Sequence, residues 1–395
     1  MQKFSTHCAA LLFISFLLLP QVARFVVEPP SAKLENRKLA ELPTPTIAAV
    51  MSPTYWTTVT DYVRDHLPMR KQQLKANNWI SFHLLQDSPT PDKLIRGEGD
   101  WLYASVITLD ESSLLNRDQD KVIEAFKQFE KAVTQRGKRC LFLLSPSKPM
   151  IYPEFLPDFA RQHLKDNFTA FHDRYSETAK NHDTFLLLWD EMWKVKKANA
   201  SLIAPVPSEE QRLHLLFNPR DLHWGVAAQT LQAQELVNAI SPGLWDASSY
   251  AIDYDNFKVR QSEFSRIWLK TYLPEPYPKF RHRKKVEVVK TIKTNAPGKP
   301  IRFYRPAEAA PSPLKVLVIH DSFFGGTCIN LTAAHFTELI SVRWEILRDT
   351  PFPAMDLINQ ADVIVIQCRD GLIARHGRYN MLNKVTQQLR KQRNS

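Results

Sequence analysis

Four short apolar runs constrain the fold of this 395-residue chain more than any other feature. They read RCLFLLS (139–145), TFLLLWD (184–190), LKVLVIHDS (314–322) and ADVIVIQC (361–368), apolar on successive residues rather than on alternate ones. A strand that is apolar on both faces must be covered on both, which is the situation of a strand inside a parallel sheet. Helical patterns separate them: 118–137, 159–181, an alanine-rich stretch after Trp224, and a last amphipathic stretch through YNMLNKVTQQLRKQ. The first of these stops at Gly137, where a left-handed cap needs a glycine. Strands alternating with helices predict a mostly parallel sheet wrapped by helices, and in such sheets functional sites gather at the carboxyl ends of the strands.

Other segments fall outside this alternation. Residues 34–46 (LENRKLAELPTPT) are polar and proline-punctuated and read as a tether. From Thr58 to Leu84 the apolar spacing is helical, with a break or kink expected at Pro68. DKLIRGEGDWLYAS (92–105) reads as two short strands about Gly97 and Gly99. Residues 246–312 are aromatic, basic and proline-rich, with strand-like KVEVVKTIKT, and read as a β-rich insertion. The expected organisation is therefore 1–27 signal-anchor or signal peptide, 28–96 tether and N-terminal helical region, and 97–395 main domain with an insertion at about 246–312.

At 44% hydrophobic and 24% charged residues, the chain is neither disordered nor fibrous. Residues 8–23 carry no charge and follow Lys3. With the residues up to 27 they read as an uncleaved signal-anchor that exports the rest, a cleaved signal peptide being the alternative. Arg24, Lys33, Arg37 and Lys38 run against that orientation by the positive-inside rule. Three cysteines, Cys140, Cys328 and Cys368, follow the segment, and an odd count excludes full pairing. A bridge between Cys328 and Cys368 stays open. The net charge of +11, with clusters at 281–285 and 384–393, fits either a polyanionic partner or a solvated face with a basic tail. No zinc-finger spacing, basic heptad or stacking-aromatic motif points to nucleic acid.

Three segments carry candidate chemistry at the predicted sheet edge. Ser322 follows a buried-type strand directly, in H-D-S-F-F rather than G-x-S-x-G, so it is either a nucleophile or the cap of the next helix. Asp221 and His223, two apart in DLHW, supply the residue types a nucleophilic serine needs: a base, and an acid to hold the base's other nitrogen. A metal reading through His223, Asp221 and His214 lacks a further ligand. The third segment, SPSKPMIYPEFLP (145–157), brings Lys148 to the same edge, either to steady a carboxylate or the local turn, or as a solvated side chain. Lys148 and Tyr152 here, with Trp224, are the candidates for touching substrate, though Trp224 reads equally as packing. No cofactor is implied.

Six motifs in order give the chain a family resemblance. ENRKLAELP (35–43), DYVRDHLPMR (61–70), GEGDWLY (97–103), PSKPMIYPEFLP (146–157), DLHW (221–224) and HDSF (320–323) resemble those of the alginate O-acetyltransferase family of AlgX and AlgJ, nearest its AlgJ branch. The resemblance implies an SGNH-hydrolase-like (flavodoxin-like) three-layer sandwich. It implies Ser322 as nucleophile, His223 as base and Asp221 as its orienter, in permuted chain order. It further implies a periplasmic domain that takes acetyl from a membrane-embedded acyltransferase and gives it to an anionic exopolysaccharide. Two positions depart from the family: His320 stands where glycine is usual, and QCRDGL lacks the expected acidic-arginine pair, so no site residue is carried over from it.

Overall fold

The computed structural model describes residues 38–67, 69–110, 118–296, 298–349, 352–372 and 378–393, together with Ile14. The apolar segment read above as anchor or signal peptide lies outside them, and among the described residues no helix is long and apolar enough to cross a membrane. The chain divides into two compact units, residues 1–90 with 265–272, and residues 91–264 with 273–395.

The smaller unit is helical. Helix α1 (Pro53–Asp65) opens on proline, whose missing N–H has no partner to lose in a first turn. Helix α2 (Arg70–Trp79) follows the expected break and runs on into a π turn, Ile80–Leu84. Buried Asp65 accepts the Ala40 N–H at 2.9 Å and pins the preceding tether. Asn78 donates to the Leu269 carbonyl at 2.6 Å, which ties segment 265–272 into this unit.

The larger unit starts with a hairpin, β1 (Leu94–Arg96) and β2 (Leu102–Ala104), closed through Gly97 and Gly99. Gly99 has φ +59°, and a Cβ there would lie 2.2 Å from the Pro205 carbonyl oxygen, so no other residue fits. A seven-stranded sheet then uses the predicted runs. It contains β3 (Arg139–Ser145), β4 (Phe185–Leu187), β7 (Val286–Ile292), β8 (Ile301–Pro306), β9 (Ser312–His320), β10 (Phe336–Arg343) and β11 (Val363–Arg369), in the order β4-β3-β11-β9-β10-β8-β7. The five from β4 to β10 are parallel; β8 and β7 continue the sheet antiparallel. The helices around it are α3 (Gln119–Thr134), α4 (Asp158–Asn181), α5 (Trp189–Ala198), α6 (Val226–Ile240), α7 (Thr327–Ala333), α8 (Phe352–Gln360) and α9 (Arg378–Arg393). Gly137, three residues beyond α3, has φ +71° as its position demanded. The mixed α/β class with a large, mostly parallel sheet is as expected.

The details differ in three places. β10 falls in a stretch with no strand expected, because Glu338 interrupts its apolar pattern; the glutamate is buried and accepts Arg305 Nε of β8 at 2.8 Å. β4 stops at Leu187, since the WDE sequence that follows starts α5. Of the insertion, β5 (Tyr250–Gln261) and β6 (Pro274–His282) form a separate two-stranded ribbon, whereas β7 and β8 widen the main sheet. Cys140, Cys328 and Cys368 are buried, and no bridge joins Cys328 to Cys368.

The strand order places the site. β11 lies between β3 and β9, with Arg369 opposite Ser145 and Ile366 opposite Ile319. The segments leaving Ser145, His320 and Arg369 therefore emerge side by side, at the carboxyl edge where ligand sites form.

Candidate functional site

Asp321, the first residue past β9, laces this edge together. Its Oδ1 accepts the Phe323 N–H at 2.8 Å and its Oδ2 the Arg369 N–H at 2.7 Å, while its own N–H donates to Gln367 Oε1 at 3.0 Å. Gln367 in turn donates to Ser145 Oγ at 2.9 Å, and Asp370 Oδ2 accepts the N–H and hydroxyl of Ser147 at 2.7 and 2.9 Å. The turn at 321–323 is thus fixed by its neighbours on both sides. Ser322 stands on it, exposed, with a hydroxyl that makes no hydrogen bond among the described residues. It is not a helix cap: α7 begins at Thr327, and its N-cap position is Gly326.

His320 faces the other way. Its Nδ1 lies 2.7 Å from the Asp321 carbonyl oxygen, which can only accept, so Nδ1 carries the proton and Nε2 accepts the Ser341 hydroxyl at 2.7 Å. Burial depresses its pKa to about 4, so the ring is neutral at ordinary pH. The imidazole that departs from the family pattern braces β9 to β10 and adds no group to the exposed turn.

His223 is set by carboxylates. Both oxygens of Glu263 lie 3.0–3.1 Å from Nδ1, and Glu263 Oε2 also accepts the N–H groups of Leu222 and His223 at 3.0 and 2.9 Å. Burial works against the Glu263 charge, yet the bond and charge of the His223 ring and these two N–H groups outweigh it and hold the carboxyl at about 2. With Nδ1 donating to a carboxylate, Nε2 keeps its lone pair. That atom is buried and has no hydrogen-bond partner. The ring lies against Phe323, the neighbour of Ser322, with centroids 5.0 Å apart.

Asp221, expected to hold His223, does not reach the ring. Its Oδ1 accepts the Glu263 N–H at 2.6 Å, and its Oδ2 accepts the Tyr277 hydroxyl at 2.5 Å and Asn218 Nδ2 at 3.4 Å. Burial and the Glu263 charge raise its pKa. The reason for the exchange is geometric: Glu263 comes from the segment after β5 and fills the space beside Nδ1, so Asp221 supports Glu263 instead. The order of support is Tyr277 to Asp221 to Glu263 to His223. His214 stacks on Tyr254, away from this chain of contacts, and among the described residues no group of three His, Cys, Asp or Glu is placed to hold a metal.

The three residues expected to touch substrate are all buried. Lys148 Nζ donates to the carbonyls of Leu102 and Pro219, each at 2.9 Å, and lies 5.0 Å from the centre of the Phe264 ring. Burial lowers its pKa to about 7, against the pull of Asp221, Glu275 and Glu263. Tyr152 accepts the Leu216 N–H at 3.3 Å, and its carbonyl accepts the Tyr103 hydroxyl at 2.6 Å. Trp224 Nε1 donates to the Phe323 carbonyl at 3.1 Å. These side chains fasten the GEGDWLY, DLHW and HDSF segments to one another rather than facing solvent. Below them, Glu275 accepts the Arg220 N–H at 2.9 Å, and Arg220 and Arg212 both grip Asp100.

Glu263, Tyr277, Asp321 and Arg369 were missed from sequence. Glu263 and Tyr277 lie inside the insertion, where nothing in the spacing links them to position 221. Arg369 did carry a signal, a charged pair closing a buried strand; its guanidinium lies 5.6 Å from the Phe323 ring centre.

No protein-family model matches the chain, and no curated protein matches it. Among solved structures it is similar to the O-acetyltransferase domain of Pseudomonas putida AlgJ, at 14% identity and a TM-score of 0.45, over 74% of this chain and 99% of that one. Bacillus cereus PatB1 with a sulfonyl adduct matches at 11% identity and a TM-score of 0.47, over 66% and 93%. Pseudomonas aeruginosa AlgX matches at 11% and 0.44, over 74% and 66%. All three TM-scores are below 0.5, so the functional reading rests on the residues of this chain.

Proposed function

We propose that this chain is an O-acetyltransferase that carries an acetyl group on Ser322 and delivers it to a hydroxyl of an exopolysaccharide, alginate or a similar polymer. The observation that carries the reading is a histidine whose Nδ1 is held by a carboxylate and whose Nε2 has no partner, with its ring 5.0 Å from that of Phe323, the residue next to the exposed Ser322. In the proposed reaction Ser322 Oγ attacks the acetyl carbonyl as His223 Nε2 takes its proton. The tetrahedral intermediate collapses, and His223 returns the proton to the leaving group. An acceptor hydroxyl then attacks the serine ester, giving its proton to His223, and Ser322 leaves with that proton. Glu263 holds the tautomer and balances the charge that forms on the ring; Asp221 positions Glu263.

The setting proposed is the periplasm, with residues 8–27 as an inner-membrane anchor and a membrane-embedded acyltransferase as the acetyl source. A surrogate acetyl ester tests the chemistry: Ser322→Ala and His223→Ala should each cost orders of magnitude in turnover. Undiminished turnover in both variants refutes the assignment. Turnover with no transfer to any oligosaccharide identifies an acetylesterase on the same residues. Polysaccharide binding with no turnover identifies a non-catalytic scaffold. A C-terminal reporter that works only outside the cytoplasm should be active in cells; silence overturns export.

A further inference from the structure

The ribbon of β5 and β6 joins the candidate site to the surface. Its register pairs Arg260 with Glu275, Lys258 with Tyr277, Asp253 with Lys279 and Ala251 with Arg281, across a bulge between Asp253 and Phe257. Directly opposed residues share a face and alternate residues along a strand return to it, so these eight occupy one face of the ribbon. At one end that face is buried in the site: Glu275 is fully buried, and the Tyr277 hydroxyl grips Asp221. The rest of the face is exposed and basic: Lys258 and Arg260 stand across from those two residues, Lys279 and Arg281 follow toward the other end, and all four are open to solvent. Arg260 lies over the Tyr277 ring at 5.7 Å, which makes the passage from base to surface continuous. Among the described residues the Lys258 and Lys279 side chains have no partner, and Arg281 pairs with Asp253 at 3.5 Å. The opposite face carries the apolar side chains, where Phe280 stacks on Tyr250 at 5.6 Å against the core.

We infer that this basic face of the ribbon is the track along which a linear, carboxylate-bearing polysaccharide lies while one of its hydroxyls reaches the acyl-serine. This rests on the acetyltransferase reading and gives that reaction's acceptor a place and a charge. Lys258 and Lys279, unpaired on adjoining strands with Arg260 and Arg281 beside them, give this face a row of positive charge that negative charges spaced along a chain complement. The row ends at Tyr277, whose partner Asp221 supports the His223–Glu263 pair, so a polymer on the track arrives at the reacting atoms rather than at a remote patch.

The test uses the full chain and the triple variant K258E/K279E/R281E, with the neutral K258Q/K279Q/R281Q as a second form. Neither replaces a residue placed in the chemistry; Lys258 pairs with Tyr277 across the ribbon, so the ester-hydrolysis rate is read on the neutral form, which puts no negative charge beside Asp221. An oligouronate is the anionic acceptor and a neutral oligoglucoside the control. Expected is an unchanged rate of surrogate-ester hydrolysis and an unchanged KM for the neutral acceptor. The KM for the oligouronate should rise on the order of tenfold to a hundredfold, for three surface pairs of up to about fivefold each, and the difference should shrink in high salt. Asp253→Asn should move the oligouronate KM the other way. An oligouronate KM that stays at the wild-type value in the triple variant overturns the track, as does loss of binding to anionic vesicles with oligouronate binding intact. Should the wild type hydrolyse no ester, calorimetric titration with the oligouronate still decides the matter. Binding lost in the triple variant upholds the track without the chemistry, and binding retained overturns it.

Discussion

Replacing Glu263 with glutamine separates the carboxylate seen at His223 from the one the sequence nominated. The fall of the Glu263 carboxyl from an ordinary 4.5 to about 2 corresponds to roughly 3 kcal/mol. The His223 ring and two N–H groups share that stabilisation, and burial opposes it. The side chain is 23% exposed, so solvent takes only a modest part. If the ring accounts for half of the total or more, neutralising its partner withdraws about 1.5–3 kcal/mol from the imidazolium that forms during attack, or roughly 10–150-fold in kcat/KM. The glutamine amide can also donate to Nδ1 and favour the wrong tautomer; that error alone costs about 10⁴ in a serine-protease triad. The expected loss for Glu263→Gln is therefore on the order of 10²–10⁴, measured on a surrogate acetyl ester, with the thermal transition confirming the fold. Asp221→Asn keeps an acceptor for the Glu263 N–H and a donor toward Tyr277, so its loss should be smaller. The reverse ranking, with Glu263→Gln near wild type and Asp221→Asn inactive, refutes the support order drawn from the structure.

Two pH effects follow from buried bases. His320 titrates near 4 in the folded chain against an ordinary 6.5, so its contribution to stability is complete above 6.5 and is lost as pH falls toward 4, by roughly 3 kcal/mol. In urea titrations at pH 7 and pH 4, His320→Gln should lose distinctly less stability than wild type; an equal loss argues that the ring is not held neutral. Lys148 titrates near 7 against 10.5, so its burial weighs on the fold below 7 and is relieved as pH rises to 10.5. The wild type should gain a few kcal/mol relative to Lys148→Met over that interval. An identical pH profile for the two proteins contradicts the buried placement.

How much was legible in the sequence depended on the range of the contact. The runs at 139–145 and 361–368 announce buried strands, and the structure pairs them residue for residue. Gly137 and the break before Arg70 are local consequences of backbone geometry and were readable for that reason. β10 was hidden because its buried Glu338 is neutralised by Arg305, a partner on another strand. The same limit governs the site. Ser322 and His223 sit at positions that strand ends and the D-x-H spacing pick out, whereas Glu263 is separated from His223 by 40 residues and by the whole of β5. Asp221 was a natural choice because it is near in sequence; the fold gives the position to a residue that is near only in space.

The motifs that mark the chain's resemblance do two different jobs, and the hydrogen bonds sort them. Ser322 Oγ and His223 Nε2, the atoms proposed to react, have no hydrogen-bond partner among the described residues. Lys148, Tyr152, Trp101 and Trp224 hold carbonyls or N–H groups of neighbouring loops and are buried. Buried polar groups of this kind are costly when unmatched, so each fixes its loop to within hydrogen-bonding tolerance of the next. Reactive groups on loops need such fixing, since a site loose by an ångström loses most of its rate. Tyr277 extends the scheme to the ribbon: on one strand, two residues apart, stand the hydroxyl that supports Asp221 and the free ammonium of Lys279. A polymer held at Lys279 on the proposed track would bear on Tyr277, and through Asp221 and Glu263 on the ring of His223. On the proposed reading, acceptor binding and the position of the base would be coupled, and a polymer on the track would favour transfer to a sugar hydroxyl over transfer to water.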